Sequence, residues 1–184
     1  MPLYVWMVSS LLVVALIFFV FAQAAVTRSS GQSAADAAAL AAAREARDHL
    51  FDEFLSAIED EEDIGDILDG DDFWTEAACE EAAPALAARN DARVIECGRA
   101  AEDNGVTVRV ETRGTVGESP IPGTEDWRAR AEATALIRGR CESTSEEAGR
   151  VELSCEEGED LSFDPDDEGA LPDARDLFHI YLAD

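Results

Sequence analysis

The sequence predicts an α+β protein: a long N-terminal transmembrane helix that extends into an extracytoplasmic domain with a small antiparallel sheet. Three observations predict this. Residues 1–27 carry no charged side chain, and Leu11–Ala22 (LLVVALIFFVFA) is wholly apolar. Residues 28–58 then keep their apolar positions at helical spacing. Further on, three segments alternate small or apolar residues with polar ones, as half-buried strands do.

The first element is the anchor, residues 1–27. A helix of that length is about 40 Å long, against a hydrocarbon core of about 30 Å, and it satisfies its own backbone hydrogen bonds. Tyr4 and Trp6 suit a membrane interface. These features place the chain in the cell membrane as a single-pass protein with its C-terminal domain outside. A cleavable signal peptide is the rival reading, because the apolar core is short and Ala22-Gln23-Ala24 fits a small-x-small cleavage site. Against it, Met1–Ser10 holds no Lys or Arg, and apolar residues already begin at Leu3.

The second element, residues 28–58, continues the helix. Gln32–Ala43 (QSAADAAALAAA) is rich in the strongest helix former. Leu40, Ala43, Leu50, Phe51, Phe54, Leu55 and Ile58 then fall on one side, with Arg44, Arg47, Asp48, Asp52 and Glu53 mostly off it. Ser29-Ser30-Gly31 is the expected point of bending or breakage.

Residues 59–141 form the α+β domain. Glu59–Asp72 has nine acids in 14 residues and no base, and reads as a solvated loop with Ile64, Ile67 and Leu68 touching down. A calcium loop is the sharper alternative, although the D-x-[DN]-x-[DN]-G pattern is absent. Asp72 is placed to cap a helix over Phe73–Arg89, with acids early and Arg last, and Pro84 predicts a kink or break inside it. The strands are Ala92–Cys97, Val106–Thr112 after the Asn104-Gly105 turn, and Trp127–Ile137, whose alanines alternate with Arg and Glu. A helix remains open for the last of these. The sheet is expected to lie under the long helix and the Phe73 helix.

Residues 142–184 carry 15 acids and two Arg and read as an acidic, partly mobile tail. Two islands stand out in it. Val151–Cys155 is expected to return to the sheet, and Leu177–Leu182 to dock as a last strand, with His179 a packed or edge residue and not a ligand.

The balance of 41 acidic against 14 basic residues, net −27, excludes nucleic acid as a partner. All 14 bases are Arg, so no P-loop exists. No H-E-x-x-H, G-x-S-x-G or G-x-G-x-x-G occurs, and there are only two histidines. No catalytic residue, metal ligand or cofactor is assigned, and the chain reads as a non-enzyme.

Cys79, Cys97, Cys141 and Cys155 make an even set and are the disulfide candidates. Four cysteines allow three connectivities. Pairing of sequence neighbours would close loops contributing about 3 kcal/mol each in the chain-entropy model. Free thiols are the alternative. Zinc fits poorly, since no C-x-x-C occurs and His49 and His179 lie far from the cysteines.

The apolar helix followed by Gln32, Ala34, Ala35, Asp36, Ala37, Ala38, Ala39 and Leu40 resembles the TadE/TadG-like proteins of the tight-adherence (Flp) pilus system. The Trp74–Cys79 helix, Ala87-Ala88-Arg89-Asn90, Cys97, the Val106–Val110 strand and the Arg128–Ala133 run follow in an order similar to that family. The resemblance covers about Leu3–Cys141. It lacks the usual basic leader and the acidic residue near the start of a mature pilin helix.

The resemblance implies a pilin-like fold and a membrane-anchored minor pilin or pseudopilin taking part in pilus assembly. Its partners would be other pilus or pilin-like subunits, met through the N-terminal helix. Ala35, Ala38, Ala39 and Ala42 are the candidates for close helix–helix approach. The alternative function is an anchored or secreted acidic binding module, taking calcium near Asp66, Asp69 and Asp71 or a basic protein partner.

Overall fold

The computed structural model describes residues 2–60, 62–71, 73–101, 104–115, 127–147, 150–158, 160–167 and 169–183. One helix, α1, runs from Pro2 to Glu59 without interruption, 58 residues in all. At about 1.5 Å per residue it is roughly 87 Å long. The expected break at Ser29-Ser30-Gly31 does not occur. Gly31 is where the helix comes down on the sheet: a Cβ there would stand 3.5 Å from Ala129 Cβ and 3.6 Å from Thr112 Cγ2. One residue later, the Gln32 amide Nε2 donates to the Glu132 carbonyl at 3.2 Å and to Asp36 Oδ1 at 2.8 Å. The Gln32 side chain, steadied by Asp36 one turn on, thus ties the helix to the sheet at that point.

The transmembrane anchor and the single-pass membrane location are corrected here. Among the described residues no helix is long and apolar enough to cross a membrane. Lack of charge over residues 1–27 is weaker than apolarity: Ser9 and Ser10 precede the apolar run, and Gln23 follows it. The wholly apolar stretch, Leu11–Ala22, is only about 18 Å long as a helix, well under a hydrocarbon core of about 30 Å.

From Ala34 onward α1 is the centre of the core. Ala34, Ala35, Ala38, Ala39, Ala42, Ala43, Ala46, Leu50 and Phe54 are all fully buried. The helix meets β-strands on one side and a shorter helical segment on another. Small side chains at i, i+3, i+4 and i+7 let both approach closely.

A four-residue helix, α2 (Gly65–Leu68), follows α1 and inserts Ile64 and Leu68 into the core. The expected Phe73–Arg89 helix is a π-helical turn, Ala78–Ala82, running into α3, Ala83–Arg89. Pro84 explains the widened turn. It has no N–H to donate, and its ring crowds the carbonyl four residues back. The turn closes instead with the Ala83 N–H donating to the Ala78 carbonyl, five residues back. Asp72, the expected cap, lies outside the described residues.

Seven strands follow among the described residues. Ala92–Arg99 (β1), Gly105–Thr112 (β2), Arg130–Gly139 (β3) and Phe178–Leu182 (β7) form an antiparallel sheet in the order β1-β2-β3-β7. The alternating alanines of β3 choose strand over helix because their partners are strands: Ala131, Ala133 and Ala135 lie opposite Val110, Val108 and Val106. A bulge at Ile95 shifts the register of β1.

Val151–Cys155 does not return to this sheet. Cys141–Glu147 (β4), Arg150–Cys155 (β5) and Asp160–Phe163 (β6) form a separate three-stranded antiparallel sheet. It turns Val151, Leu153 and Phe163 inward, and Phe163 meets Phe54 of α1 with ring centroids 6.4 Å apart. The segment expected as an acidic tail therefore builds a second layer of core. A short helix, α4 (Ala174–Leu177), capped reciprocally by Asp173 and Asp176, leads into β7.

Candidate functional site

Two features stand out on the surface. The first is the projecting part of α1. From Tyr4 to Phe19 every described side chain is exposed, large apolar ones included, with Trp6 at 79 % and Phe18 at 75 %. Successive residues along an α-helix are 100° apart, so exposure of Leu11, Leu12, Val13 and Val14 in sequence means exposure on all sides. A soluble surface helix shows one apolar stripe; a helix apolar all round is normally surrounded.

The second feature lies on the face of the β1-β2-β3-β7 sheet turned away from α1. The register places Arg93 opposite Glu111 and Glu111 opposite Arg130. Arg93 Nε donates to Glu111 Oε2 at 3.1 Å, and Arg130 Nε donates to Glu111 Oε1 at 3.0 Å. Arg128 Nη1 stands 3.8 Å from Oε2. The Glu111 side chain is 8 % exposed, while the three arginines are half-exposed around it. Hydrogen bonds from Arg93 and then Arg130 hold the Glu111 carboxyl below the usual carboxylate range, against the opposing effect of burial.

Among the described residues three guanidinium groups thus face one carboxylate, a local surplus of two positive charges in a chain of net −27. The exposed Trp127 ring completes an open cleft of about 400 Å³ over them.

Along the same face the next row inverts the signs. Arg109 sits opposite both Glu96 and Glu132 and pairs with each. Glu132 and, less strongly, Glu96 raise the Arg109 pKa. The row is exposed, so its contribution is to register more than to stability. Beyond it Thr107 Oγ1 and Thr134 Oγ1 lie 2.8 Å apart.

The sequence-predicted residues are placed as follows. Cys79 of the π-turn is bonded to Cys97 of β1, and Cys141 of β4 to Cys155 of β5; no cysteine is free. The first bond ties the helical layer to the edge of the first sheet. The second links directly opposed residues of the second sheet.

Ala35, Ala38, Ala39 and Ala42, expected to face another chain's helix, are fully buried in this chain's own core. The close approach that they permit is used within the domain. His179 is exposed on the edge strand β7, stacked on Tyr181 with centroids 5.7 Å apart. Among the described residues no three His, Cys, Asp or Glu side chains converge to hold a metal ion.

The arginine cluster was hidden in the sequence because Arg93, Glu111 and Arg130 lie far apart and meet only through strand register. The one signal was the Arg-x-Arg at Arg128–Arg130, beside a strand with a single acid, Glu111, among its valines. No family model, curated protein or solved structure matches the chain.

Proposed function

We propose that the chain is a pilin-like assembly subunit whose projecting helix is packed among the helices of neighbouring subunits. One observation carries the reading. A single unbroken helix is half core and half uncovered apolar rod, with large side chains exposed on every side over Tyr4–Phe19. A two-helix contact covers one stripe of such a rod; a bundle of several helices covers all of it. The resemblance of the motif order to that of TadE/TadG-like pilus proteins supports the same reading. The globular part then serves to present the rod, and the arrangement asks for no catalytic group.

The test is sedimentation velocity on the full, oxidised chain beside a Val13→Arg/Ile17→Arg variant. The wild-type chain is expected to form large, regular particles at micromolar concentration. The variant is expected to remain monomeric with an unchanged near-ultraviolet dichroism spectrum, because neither side chain contributes to the folded domain. A wild-type chain that stays monomeric, or a variant that assembles equally well, removes the reading.

A further inference from the structure

We propose that the arginine cleft of one copy receives the acidic turn of the next, so that copies join head to tail along the direction of α1. This rests on the assembly reading above and specifies the contact between its subunits.

The socket is built before any ligand arrives. Glu111 is buried and takes hydrogen bonds from Arg93 and Arg130, which fixes both guanidinium planes where they line the cleft. Arg128 is held only loosely, at 3.8 Å, and Trp127 walls one side. Planar donors around a surplus of positive charge recognise carboxylates.

The plug is also built in advance. Glu62, Asp63, Asp66, Asp69 and Asp71 are exposed, and none has an ion pair among the described residues. The turn that carries them is rigid. Ile64 and Leu68 are buried beneath it, and the Asp69 and Asp71 N–H groups donate to the Gly65 and Asp66 carbonyls at 3.0 Å. Gly70 sits at φ +85°, where only glycine is unstrained, and Asn104 Nδ2 donates to the Asp69 carbonyl at 3.3 Å. Two preorganised surfaces of opposite sign lose little entropy on meeting.

The two cannot meet within one copy. β3 begins at Arg130, beside the cleft, and ends at Gly139, against Leu68 of the acidic turn. Its nine residue steps separate the two sites by about 30 Å. Complementary patches at opposite ends of one rigid body make a heterologous contact, and such contacts repeat into open filaments where the rotation does not close a ring. The uncovered helix projects from the cleft end, since Gly31 lies against Ala129 and Thr112. Head-to-tail joining therefore carries each projecting helix past its neighbour, where the rods can bundle.

The test uses two full-length variants. Arg128→Glu cancels the surplus positive charge of the cleft while leaving Arg93 and Arg130 on Glu111. Asp66→Arg/Asp69→Arg reverses the turn at two exposed positions. Each alone is expected to lower the association constant at low ionic strength by about tenfold or more, a difference that screening at about 0.5 M salt erases. An equimolar mixture is expected to assemble again, because the unaltered turn of the first variant fits the unaltered cleft of the second, while the two altered ends bring Glu and Arg side chains together.

Variants that assemble like the wild type, or impaired variants whose mixture gains nothing, overturn the contact while the bundled-helix reading stands. A wild-type chain that never assembles overturns both. An unchanged dichroism spectrum and melting temperature for each variant exclude misfolding as the cause.

Discussion

Gly139 at the end of β3 lies so close to Leu68 that a Cβ on Gly139 would stand 1.7 Å from the Leu68 carbonyl oxygen. No rotamer change relieves such a contact, since the backbone fixes the Cβ position and the carbonyl is itself backbone. Gly139→Ala must push the acidic turn off the sheet end, and with it the buried Ile64 and Leu68. The expected cost is about 3 kcal/mol or more, at the upper end for an overpacked site. Urea unfolding followed by tryptophan fluorescence measures it; a loss under about 1 kcal/mol would mean that the turn is not seated as described.

The alanine stripe of α1 makes a parallel prediction. Ala38 and Ala42 have no exposed surface, so Ala42→Leu and Ala38→Phe insert volume between helix and neighbours that cannot part without losing the core. Each is expected to destabilise the domain by about 1–3 kcal/mol or more. An exposed control on the same helix, Asp52→Ala, is expected to change stability by no more than about 0.5 kcal/mol. Variants at Ala38 and Ala42 that keep full stability would place these side chains at an outer surface instead.

The disulfides close loops with sequence separations of 18 and 14 residues. Chain entropy assigns each about 3 kcal/mol, yet their loss should be felt in different places. Cys141→Ser/Cys155→Ser releases opposed strands of the small second sheet, and is expected to raise amide exchange over Cys141–Phe163 first. Cys79→Ser/Cys97→Ser frees the π-turn from β1 and should raise exchange in Ala78–Arg99. Hydrogen exchange with mass-spectrometric readout separates the two; a uniform rise in both variants would show that the layers unfold as one.

Glu111 links the arginine cleft to pH. Its carboxyl titrates lower in the folded chain than in the unfolded one, because Arg93 and Arg130 hydrogen-bond its charged form. The stabilisation is therefore present in full above the ordinary carboxylate range and is lost as the pH falls through the folded-state value. Glu111→Gln should remove that part of the acid dependence, so its melting temperature falls less between neutral and acid pH than that of the wild type. Parallel curves for the two proteins would mean that Glu111 titrates alike folded and unfolded.

Much of the architecture was legible where local pattern and tertiary partner agree. Val106, Val108 and Val110 alternate on β2, and their burial follows. Gln32–Ala43 reads as helix because alanine favours it, although the sequence does not say that those alanines face their own domain. The alternation in β5 was visible, but not its partner. Val151–Cys155 pairs with β6, a four-residue strand too short to stand out, and with β4, a segment mostly of Ser and Glu whose strand character comes from pairing and not from propensity. Pro84 announced a fault without announcing its form as a π-turn. The cleft was least legible, because register alone gathers its arginines, and a one-residue slip would put Glu111 on the opposite face. Over the first residues, absence of charge suggested a span that the short apolar run does not supply.

The continuity of α1 has a mechanical consequence. A pull on the free rod reaches the globular part along the axis of a helix wedged between strands and α3, so it loads that whole contact at once as shear. Strands peeled from an edge give way one bond at a time; a sheared wedge yields only when most of its contacts slip together. Seen so, the subunit is a nail with its shank driven through its own head, and traction along the shank is the direction in which it holds best.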